Sequence, residues 1–543
     1  VTALSANQVS KFTTAQVAVV TAANVTALSA DQVASLTTTQ VGTMDTTQVK
    51  ALTTTAVAAM TTVQVASLNT SQVAALTTAQ VKALSTDQVK ALKVEQMASL
   101  STAAAGSLST GQLAELGTDQ INALTADSIK ALGAKVADLS TEQIKALSSA
   151  AIANLTSAQT QALTTELVAA LTTDQISAFT TANVRAMDTD QVNTLSKEQV
   201  LAMVDSQLQA LTTSQVGAID TDRVAALRTA QLQALGTSAL AGMTTTQVEA
   251  LTTSQVASLS TAAIAGMNTS QINHLTSSQV AALSTAQVYA METADVAALS
   301  STQLGALTTA QVRNMSTSQV AALNSSEVAG VGTSAIGALT TSQLQAMTTA
   351  VVNALNSTQV GALSTSQVQA LTTAEIVALN TDVVHGLSTS LVQAMETADV
   401  AALTTSQITA MTTDQVAALT TAQIRSLTTT QLQAFNAGKL QALSTAQVVA
   451  LSTDQVQGLT TTQVGQLTTG SVAAFTTDQV VALTTAQAAS QVPAGNIALS
   501  LAMYLTLYVA LLSAYVSVVF YLAKKAVNGG DEPSTDLKGM RHA

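Results

Sequence analysis

The sequence has no cysteine and no tryptophan, only two prolines, and few aromatic or charged residues. Without cysteine the chain forms no disulfide and has no thiolate nucleophile or thiolate metal ligand. Charged residues make up 9% of the chain, against about 25% in average globular proteins, and within the repeats the lysines and arginines stand singly. That pattern excludes the basic patch of a nucleic-acid-binding protein. The hydrophobic fraction of 47% is too high for a typical disordered chain.

An eight-residue repeat fills most of the chain, with the consensus Leu-Thr-Thr-x-Gln-Val-x-Ala. Leu or Met marks the first position of about sixty repeats, and Gln follows four residues later, as in Leu28 with Gln32 and Leu36 with Gln40. One step in the series is seven residues long, from Leu132 to Leu139. Repeats of fixed period predict a solenoid, in which each unit covers the apolar residues of its neighbours.

Two regular structures fit this period poorly. A continuous α-helix advances about 100° per residue, so an eight-residue stripe would wander around its surface. A flat strand alternates faces at every residue, which would place Leu and Val on opposite faces. A β-solenoid rich in threonine and valine stays open as an alternative, because both residues favour strands.

The local chemistry favours a string of short helices. In the repeat from Leu84 to Val89, Ser85 is a good N-cap and Gln88 completes a capping box with it. Leu84 and Val89 then take the two positions of a hydrophobic staple. Because isolated helices shorter than about 12–15 residues are marginal in water, only stacked repeats should fold. The sequence therefore predicts a mainly α solenoid of short capped helices.

The C-terminal region has a different pattern. Pro493 marks a boundary, and the run from Ile497 to Ala523 carries no charge. This run is long enough to span a bilayer, and Lys524 and Lys525 follow it directly. The positive-inside rule then predicts a cytoplasmic C-terminus, with the repeats outside the cytoplasm. The alternative is a buried core helix, but the sequence offers no globular domain to bury it.

The predicted organisation is a repeat solenoid over residues 1–486, with a register slip at 133–139. A linker over 487–496, a transmembrane helix over 497–523 and a short cytoplasmic tail over 524–543 follow. Val1 is not an initiator methionine and the repeat register is already set at Leu4. We expect that the chain was cut from something longer.

Two resemblances bear on function. The run Thr485-Ala486-Gln487-Ala488-Ala489-Ser490-Gln491-Val492, with the apolar segment and the two lysines after it, resembles the last transmembrane helix of cytochrome bd quinol oxidase subunit I. Thr484, Gln487 and Gln491 depart from that family's Arg, Asp and Pro, and its haem-binding helices have no counterpart here. The repeats resemble those of bacterial haem-utilisation and adhesion-type surface proteins.

Candidate sites are few, and each has an ordinary structural explanation. His274 and His385 are too far apart in sequence to form a clustered metal site. Methionines such as Met44, Met60, Met187 and Met243 occupy the Leu position, which predicts core packing. Asp at the fourth repeat position favours the helix dipole rather than calcium, because the Gly-rich nonapeptide of calcium-binding solenoids is absent. The Thr-Thr pair predicts capping, with a surface hydroxyl ladder as the alternative.

These patterns predict no catalytic, cofactor-binding or metal-binding residue, no cofactor and no small-molecule substrate. Serine and threonine are abundant, but no His-Asp partners accompany them and no phosphate-binding glycine loop is present. The sequence therefore predicts a non-enzymatic, membrane-anchored surface protein that acts as a stalk, adhesin or interaction scaffold, with a protein or glycan surface as its partner. The alternative is a component of, or a fusion to, a cytochrome bd-type oxidase.

Overall fold

The computed structural model describes residues 1–484, Gln487 and 494–528. Short α-helices of four to six residues follow one another along the repeats, and a single long helix lies near the C-terminus. No β-strand occurs in these described ranges, so the helical solenoid is confirmed and the β-solenoid alternative is wrong. Residues 488–493 and 529–543, which include most of the predicted linker and cytoplasmic tail, lie outside the described residues.

The chain divides into two compact units, residues 1–338 and 339–543. The first unit contains two 3₁₀-helices, Gly133–Asp138 and Val328–Gly330. Its α-helices are Ala6–Val9, Thr14–Ala18, Ala22–Thr26, Ala30–Ala34, Thr38–Thr43, Thr46–Ala51, Thr54–Ala59, Thr62–Ser67, Thr70–Ala74, Thr78–Ala83, Thr86–Lys90, Val94–Ser99, Thr102–Gly106, Thr110–Ala114, Thr118–Ala123, Ala126–Ala131, Thr141–Ala146, Ser149–Ala153, Ser157–Ala162, Thr165–Ala170, Thr173–Ala178, Thr181–Ala186, Thr189–Thr194, Lys197–Ala202, Asp205–Ala210, Thr213–Ala218, Thr221–Ala226, Thr229–Ala234, Gly236–Leu240, Thr245–Ala250, Thr253–Ser258, Thr261–Ala265, Thr269–Asn273, Ser277–Ala282, Thr285–Ala290, Thr293–Ala298, Ser301–Ala306, Thr309–Asn314, Thr317–Ala321 and Thr333–Gly337.

The second unit continues the same pattern and ends in the long helix. Its α-helices are Thr341–Gln345, Thr349–Ala354, Ser357–Gly361, Thr365–Ala370, Thr373–Ala378, Thr381–Gly386, Thr389–Ala394, Thr397–Ala402, Thr405–Ala410, Thr413–Ala418, Thr421–Ser426, Thr429–Gln433, Ala437–Gln441, Thr445–Ala450, Thr453–Gly458, Thr461–Gln466, Thr469–Ala473, Thr477–Ala482 and Ala494–Asn528.

Most of the short helices begin and end as the repeat predicts, and the helix Thr86–Lys90 is an example. Ser85 has extended backbone angles, its Oγ accepts the Gln88 N–H at 3.2 Å, and Gln88 Oε1 accepts the Ser85 N–H at 2.7 Å. The capping box is therefore confirmed. At the other end, the Leu92 N–H donates to the Val89 carbonyl at 3.2 Å, three residues back. That tighter last turn closes the helix and leaves Leu free to begin the next repeat.

The core consists of the Val and Leu positions of the consensus. Val89 and Leu84 are 0% and 5% exposed, and the methionines that replace Leu are equally buried. Within each unit a helix packs against the third helix further along the chain, so that successive turns of the superhelix stack on one another. Neighbouring repeats thus share their core across turns, which is how helices of five or six residues gain stability.

The seven-residue step in the repeat series lies in the 3₁₀-helix Gly133–Asp138. Leu132, which precedes it, has helical rather than extended backbone angles, and Gly133 has a φ of 62°. Only glycine adopts this conformation without steric penalty, so it can reverse the chain here. The tighter 3₁₀ geometry, with about 2.0 Å of rise per residue, then brings Leu139 back to the core with one residue fewer.

Two glycine pairs mark the closest approach of successive turns. A Cβ on Gly242 would lie 2.5 Å from the Thr213 carbonyl oxygen, and a Cβ on Gly217 would lie 2.9 Å from the Gly242 carbonyl oxygen. Gly305 and Gly330 form an equivalent pair, with Gly330 close to the Ser301 carbonyl. The backbones touch directly at these places because no side chain stands between them.

We predict that Gly242→Ala destabilises the protein by about 1–3 kcal/mol, because the new methyl group overlaps the Thr213 backbone. Gly465→Ala is the matched control. Gly465 lies inside the helix Thr461–Gln466, and a methyl group added there would meet nothing within 4 Å, so alanine should stabilise that helix by about 0.5–1 kcal/mol. Denaturant unfolding of the full chain in detergent measures both changes. Equal effects of the two substitutions would contradict the close-approach interpretation.

Candidate functional site: the glutamine ladder and the repeat surface

The consensus glutamine makes bonds in two directions. Gln80 Oε1 accepts the Thr77 N–H at 2.9 Å, which completes the cap of its own helix. Its Nε2 donates to the Val49 and Leu52 carbonyl oxygens, both at 2.8 Å. These carbonyls close the helix Thr46–Ala51, four repeats earlier in the chain. One amide group therefore joins the start of one helix to the end of another in the preceding turn of the superhelix.

The same pair of bonds recurs with constant spacing along both units. Gln72 donates to Val41 and Met44, and Gln415 donates to Val384 and Leu387, in each case 31 and 28 residues back. We call this series the glutamine ladder. Each helix packs against the helices three places away in the chain, and each ladder glutamine bonds the helix four places earlier. One superhelical turn therefore takes between three and four repeats.

The ladder adjusts to the seven-residue step in the sequence. Gln143, which lies beyond it, donates to the Leu113 and Leu116 carbonyls, 30 and 27 residues back. At Gln175 the spacing returns to 31 and 28 residues. The bonds therefore follow position in the superhelix rather than distance along the chain.

Burial makes the ladder energetically important. Gln72 and Gln80 are 1% and 2% exposed, and each bonds two carbonyls at the end of a helix. The Val carbonyl also accepts the N–H three residues on, whereas the Met or Leu carbonyl belongs to the residue that follows the helix. A buried carbonyl or amide without a partner loses about 1–3 kcal/mol of stability. Sequence reasoning assigned Gln to capping and missed the second set of bonds, because capping uses only the Oε1 atom.

The family model for the ALTTAQ repeat matches ten stretches that together cover more than half of the chain, residues 41–78, 69–102, 136–173, 168–205, 224–261, 257–285, 288–325, 336–373, 392–429 and 432–469. The chain belongs to the ALTTAQ repeat family. No curated protein and no solved structure matches it. The ladder described above is thus built from the ALTTAQ repeats themselves, since Gln is the last residue of that consensus.

Other donors replace glutamine at a few ALTTAQ repeats. Asn183 Nδ2 donates to the Leu155 carbonyl at 2.8 Å, and Lys439 Nζ donates to the Ile408 and Thr409 carbonyls at 2.9 and 2.5 Å. Burial lowers the pKa of Lys439 below its ordinary value. At the seven-residue step, Lys135 Nζ donates to the Gly106 and Leu108 carbonyls, and burial followed by the charge of Lys82 lowers its pKa.

Carboxylates at the same position break the pattern, because they cannot donate when ionised. Asp295 is 2% exposed, and its two oxygens accept from Thr269 Oγ1 at 3.0 Å and from the Glu292 N–H at 3.3 Å. Burial raises the pKa of Asp295 above its ordinary value of 3.8, against the lowering by these two hydrogen bonds. Asn183 bonds the carbonyl of Leu155, which lies 28 residues back in the chain. The residue 28 positions before Asp295 is Met267, so a donor at position 295 would face the Met267 carbonyl.

The surface of the ALTTAQ repeats is formed by the residues that belong to neither the ladder nor the core. The first Thr of each pair serves as N-cap, as at Thr412, and the second, as at Thr413, is an exposed first helical residue. Asp414 follows in the first turn, where a carboxylate is favoured by the helix dipole. Tyr289 is an exposed aromatic side chain and borders a shallow surface pocket of about 430 Å³.

The histidines and methionines lie where ordinary repeat residues lie. His274 and His385 are exposed, and each Nδ1 contacts a backbone carbonyl oxygen, that of Ser270 at 2.7 Å and that of Ala410 at 2.9 Å respectively. Among the described residues no three His, Cys, Asp or Glu side chains group together as metal ligands would. The four methionines named from the sequence, Met44, Met60, Met187 and Met243, are each 5% exposed, which confirms core packing.

The C-terminal helix Ala494–Asn528 contains a segment, Leu505–Lys525, that is long and apolar enough to cross a membrane. None of this segment is buried against the rest of the chain, so it is not a core helix. Leu511, Tyr515 and Phe520 are all more than half exposed. A single apolar helix of this kind is consistent with membrane anchoring.

We predict that Gln72→Glu destabilises the protein by about 1–3 kcal/mol at neutral pH, because it keeps the capping oxygen but replaces the donor to Val41 and Met44 with an acceptor. Gln16→Glu is the matched control. Gln16 forms the same capping box but is exposed, so its effect should stay within about 0.5 kcal/mol. Chemical denaturation measures the difference, and similar losses at both positions would refute the ladder's contribution.

We predict that Asp295→Asn stabilises the protein by about 1–3 kcal/mol near pH 7, because Asn can donate to the Met267 carbonyl as Asn183 does to Leu155. The folded pKa of Asp295 is raised, so the folded chain holds this proton more tightly than the unfolded chain. The wild type therefore loses stability relative to the variant as pH rises from about 3.8 through the folded pKa.

The measurement is the free energy of unfolding of both proteins from pH 3 to pH 8. Asp414→Asn is the control, since Asp414 is exposed in the first turn of its helix. A stability difference for Asp295→Asn that does not change with pH would contradict the burial of an ionising group.

Proposed function

We propose that the protein is a non-enzymatic, membrane-anchored scaffold in which the ALTTAQ repeats form a stalk and the C-terminal helix forms the anchor. The observation that carries the proposal is the glutamine ladder, which uses the most regular polar side chain of the repeat to hold turns together. The N-cap hydroxyls are likewise used within the helices. The consensus residues are thus committed to building the array.

The proposed anchor is the segment Leu505–Lys525. Lys524 and Lys525 lie at its C-terminal end and are exposed. By the positive-inside rule this end belongs on the cytoplasmic side, which would place the repeats outside the cytoplasm. A stalk standing on an outer surface fits an architecture in which length grows by adding repeats.

The proposed interaction surface is the row of exposed hydroxyls along the repeats. The second Thr of each pair and the residue after it point outward at the start of successive helices, as at Thr54 and Thr55. Such a surface is weakly charged and rich in donors and acceptors. It would suit a glycan or protein partner that forms many weak hydrogen bonds, which is the adhesin form of this proposal.

The absence of cysteine makes the orientation directly testable. We predict that Thr55→Cys, at an exposed position of the repeats, reacts with a membrane-impermeant maleimide on intact cells that express the full chain. Ser534→Cys, in the C-terminal tail, should react only after the cells are permeabilised. The wild type, which has no thiol, controls for background labelling. Labelling of Ser534→Cys alone on intact cells would overturn the proposed orientation.

The oxidase alternative depends on the resemblance of the tail. The residues of its lead-in, Thr485 to Val492, lie outside the described residues except for Gln487, whose side chain donates to the Val456 and Leu459 carbonyls as a rung of the ladder. Gln487 thus continues the glutamine ladder of the repeats. A haem absorbance spectrum of the purified chain, together with co-purifying oxidase subunits, would be needed to favour this alternative.

A further inference from the structure

The fifth residue of the repeat, which is the glutamine of the ladder in the consensus, is here called the ladder position. One stretch of the array is poor in glutamine at this position. Ten repeats place their ladder residue between 327 and 399, and only three of these residues are glutamine, namely Gln343, Gln359 and Gln367. The other seven are Glu327, Ala335, Val351, Glu375, Val383, Leu391 and Asp399. By contrast, nine of the eleven ladder residues from Gln407 to Gln487 are glutamine, and Lys439 donates in place of another. We call residues 327–399 the Gln-poor segment.

The apolar replacements remove bonds in both directions. Val351, Val383 and Leu391 have no polar side-chain atom, so they neither accept the N–H of their N-cap residue nor donate to the preceding turn. Their helices keep only half of the capping box, in which Val351 N–H donates to Thr348 Oγ1 at 3.3 Å and Val383 N–H donates to Asn380 Oδ1 at 2.9 Å. These side chains are buried like the glutamines, but a valine or leucine at this position supplies no hydrogen bond.

The acidic replacements leave polar atoms without partners. Glu375 is 3% exposed, and its Oε2 accepts from the Thr372 N–H and Oγ1 at 2.6 and 2.8 Å. Its other oxygen, Oε1, is buried with no hydrogen-bond partner, and so is Oε2 of Glu327. In the described part of the chain, these two oxygens are the buried side-chain atoms that lack a hydrogen-bond partner, and both belong to glutamates at the ladder position.

Chemistry explains why the orphan atoms occur at this position. A ladder glutamine at 375 would turn its Nε2 toward carbonyls 31 and 28 residues back, which belong to Leu344 and Met347. A carboxylate offers oxygen where the ladder needs a donor. Asp399, which is 2% exposed, likewise only accepts, from Thr373 Oγ1 at 3.0 Å and from the Glu396 N–H at 3.3 Å.

We propose that the Gln-poor segment is the release point of the array, the stretch that opens before the repeats on either side. In a quasi-one-dimensional array, local stability follows from each repeat and its contacts with the next turn. The loss of ladder bonds and the burial of acceptor-only groups both weaken those contacts here.

Local opening at a fixed place has a mechanical consequence. A chain held by its anchor and pulled at the other end would lengthen first in the Gln-poor segment, while repeats with an intact ladder stay folded. This consequence depends on the proposed stalk function. The order of opening does not, because it follows from the residues of the array alone.

Native-state hydrogen exchange of the full chain in detergent micelles tests the order of opening. Helical amides in residues 341–402 should exchange at least about tenfold faster than those in residues 405–466, which corresponds to a stability difference of about 1.4 kcal/mol. Equal or slower exchange in residues 341–402 would overturn the proposal, whatever the maleimide labelling shows about orientation.

A restored ladder provides the matched variant. Glu375→Gln, Val383→Gln and Leu391→Gln combined should slow exchange in residues 341–402 to within about threefold of the flanking repeats. Gln415→Val is the converse control, and it should speed exchange around the helix Thr413–Ala418 by about tenfold. If the triple variant does not fold, Glu375→Gln alone should still slow local exchange. Unchanged exchange in the restored variants would refute the release point.

Discussion

The array depends on the buried carboxamide that most of its repeats carry. Its oxygen closes the cap of one helix, and its nitrogen bonds the last carbonyls of a helix in the preceding turn, as at Gln80. A helix of five or six residues leaves most of its backbone donors and acceptors unpaired at the ends. Because the glutamine satisfies both an N-terminal donor and two C-terminal acceptors, it makes such short helices compatible with a buried core.

Glutamine suits this position for a specific reason. It combines an acceptor and two donors at the end of a side chain that spans from one turn to the next. Asn183 and Lys439 preserve donation with different geometry, and each still reaches a carbonyl of the preceding turn. Aspartate and glutamate preserve the cap alone, since Glu375 accepts from Thr372 but leaves one oxygen without a partner. The bond to the preceding turn therefore survives a shorter side chain, as in Asn183, or a charged one, as in Lys439, but it is lost when the side chain has no donor.

The same architecture also explains how the array absorbs irregularity. At the seven-residue step, Gly133 and a 3₁₀-helix restore the position of Leu139, and the ladder bonds across the step shorten by one residue. The core and the ladder both require each helix to occupy a fixed place in the superhelix. The number of residues between those places is free to change, provided that the backbone can make the turn.

The sequence by itself determined the helices, because caps, staples and short apolar spacing act within one repeat, as Leu84, Ser85, Gln88 and Val89 illustrate. It also determined the apolar C-terminal helix, whose length and composition are local properties. Only the tertiary structure decided how many repeats make a turn and which carbonyls Gln bonds. Those partners lie 28 and 31 residues away, a distance that follows from the packing angle between helices and is encoded in no single repeat. For the same reason the orphan oxygens of Glu327 and Glu375 could not be predicted, since a glutamate satisfies the capping pattern in sequence and fails only against the neighbouring turn.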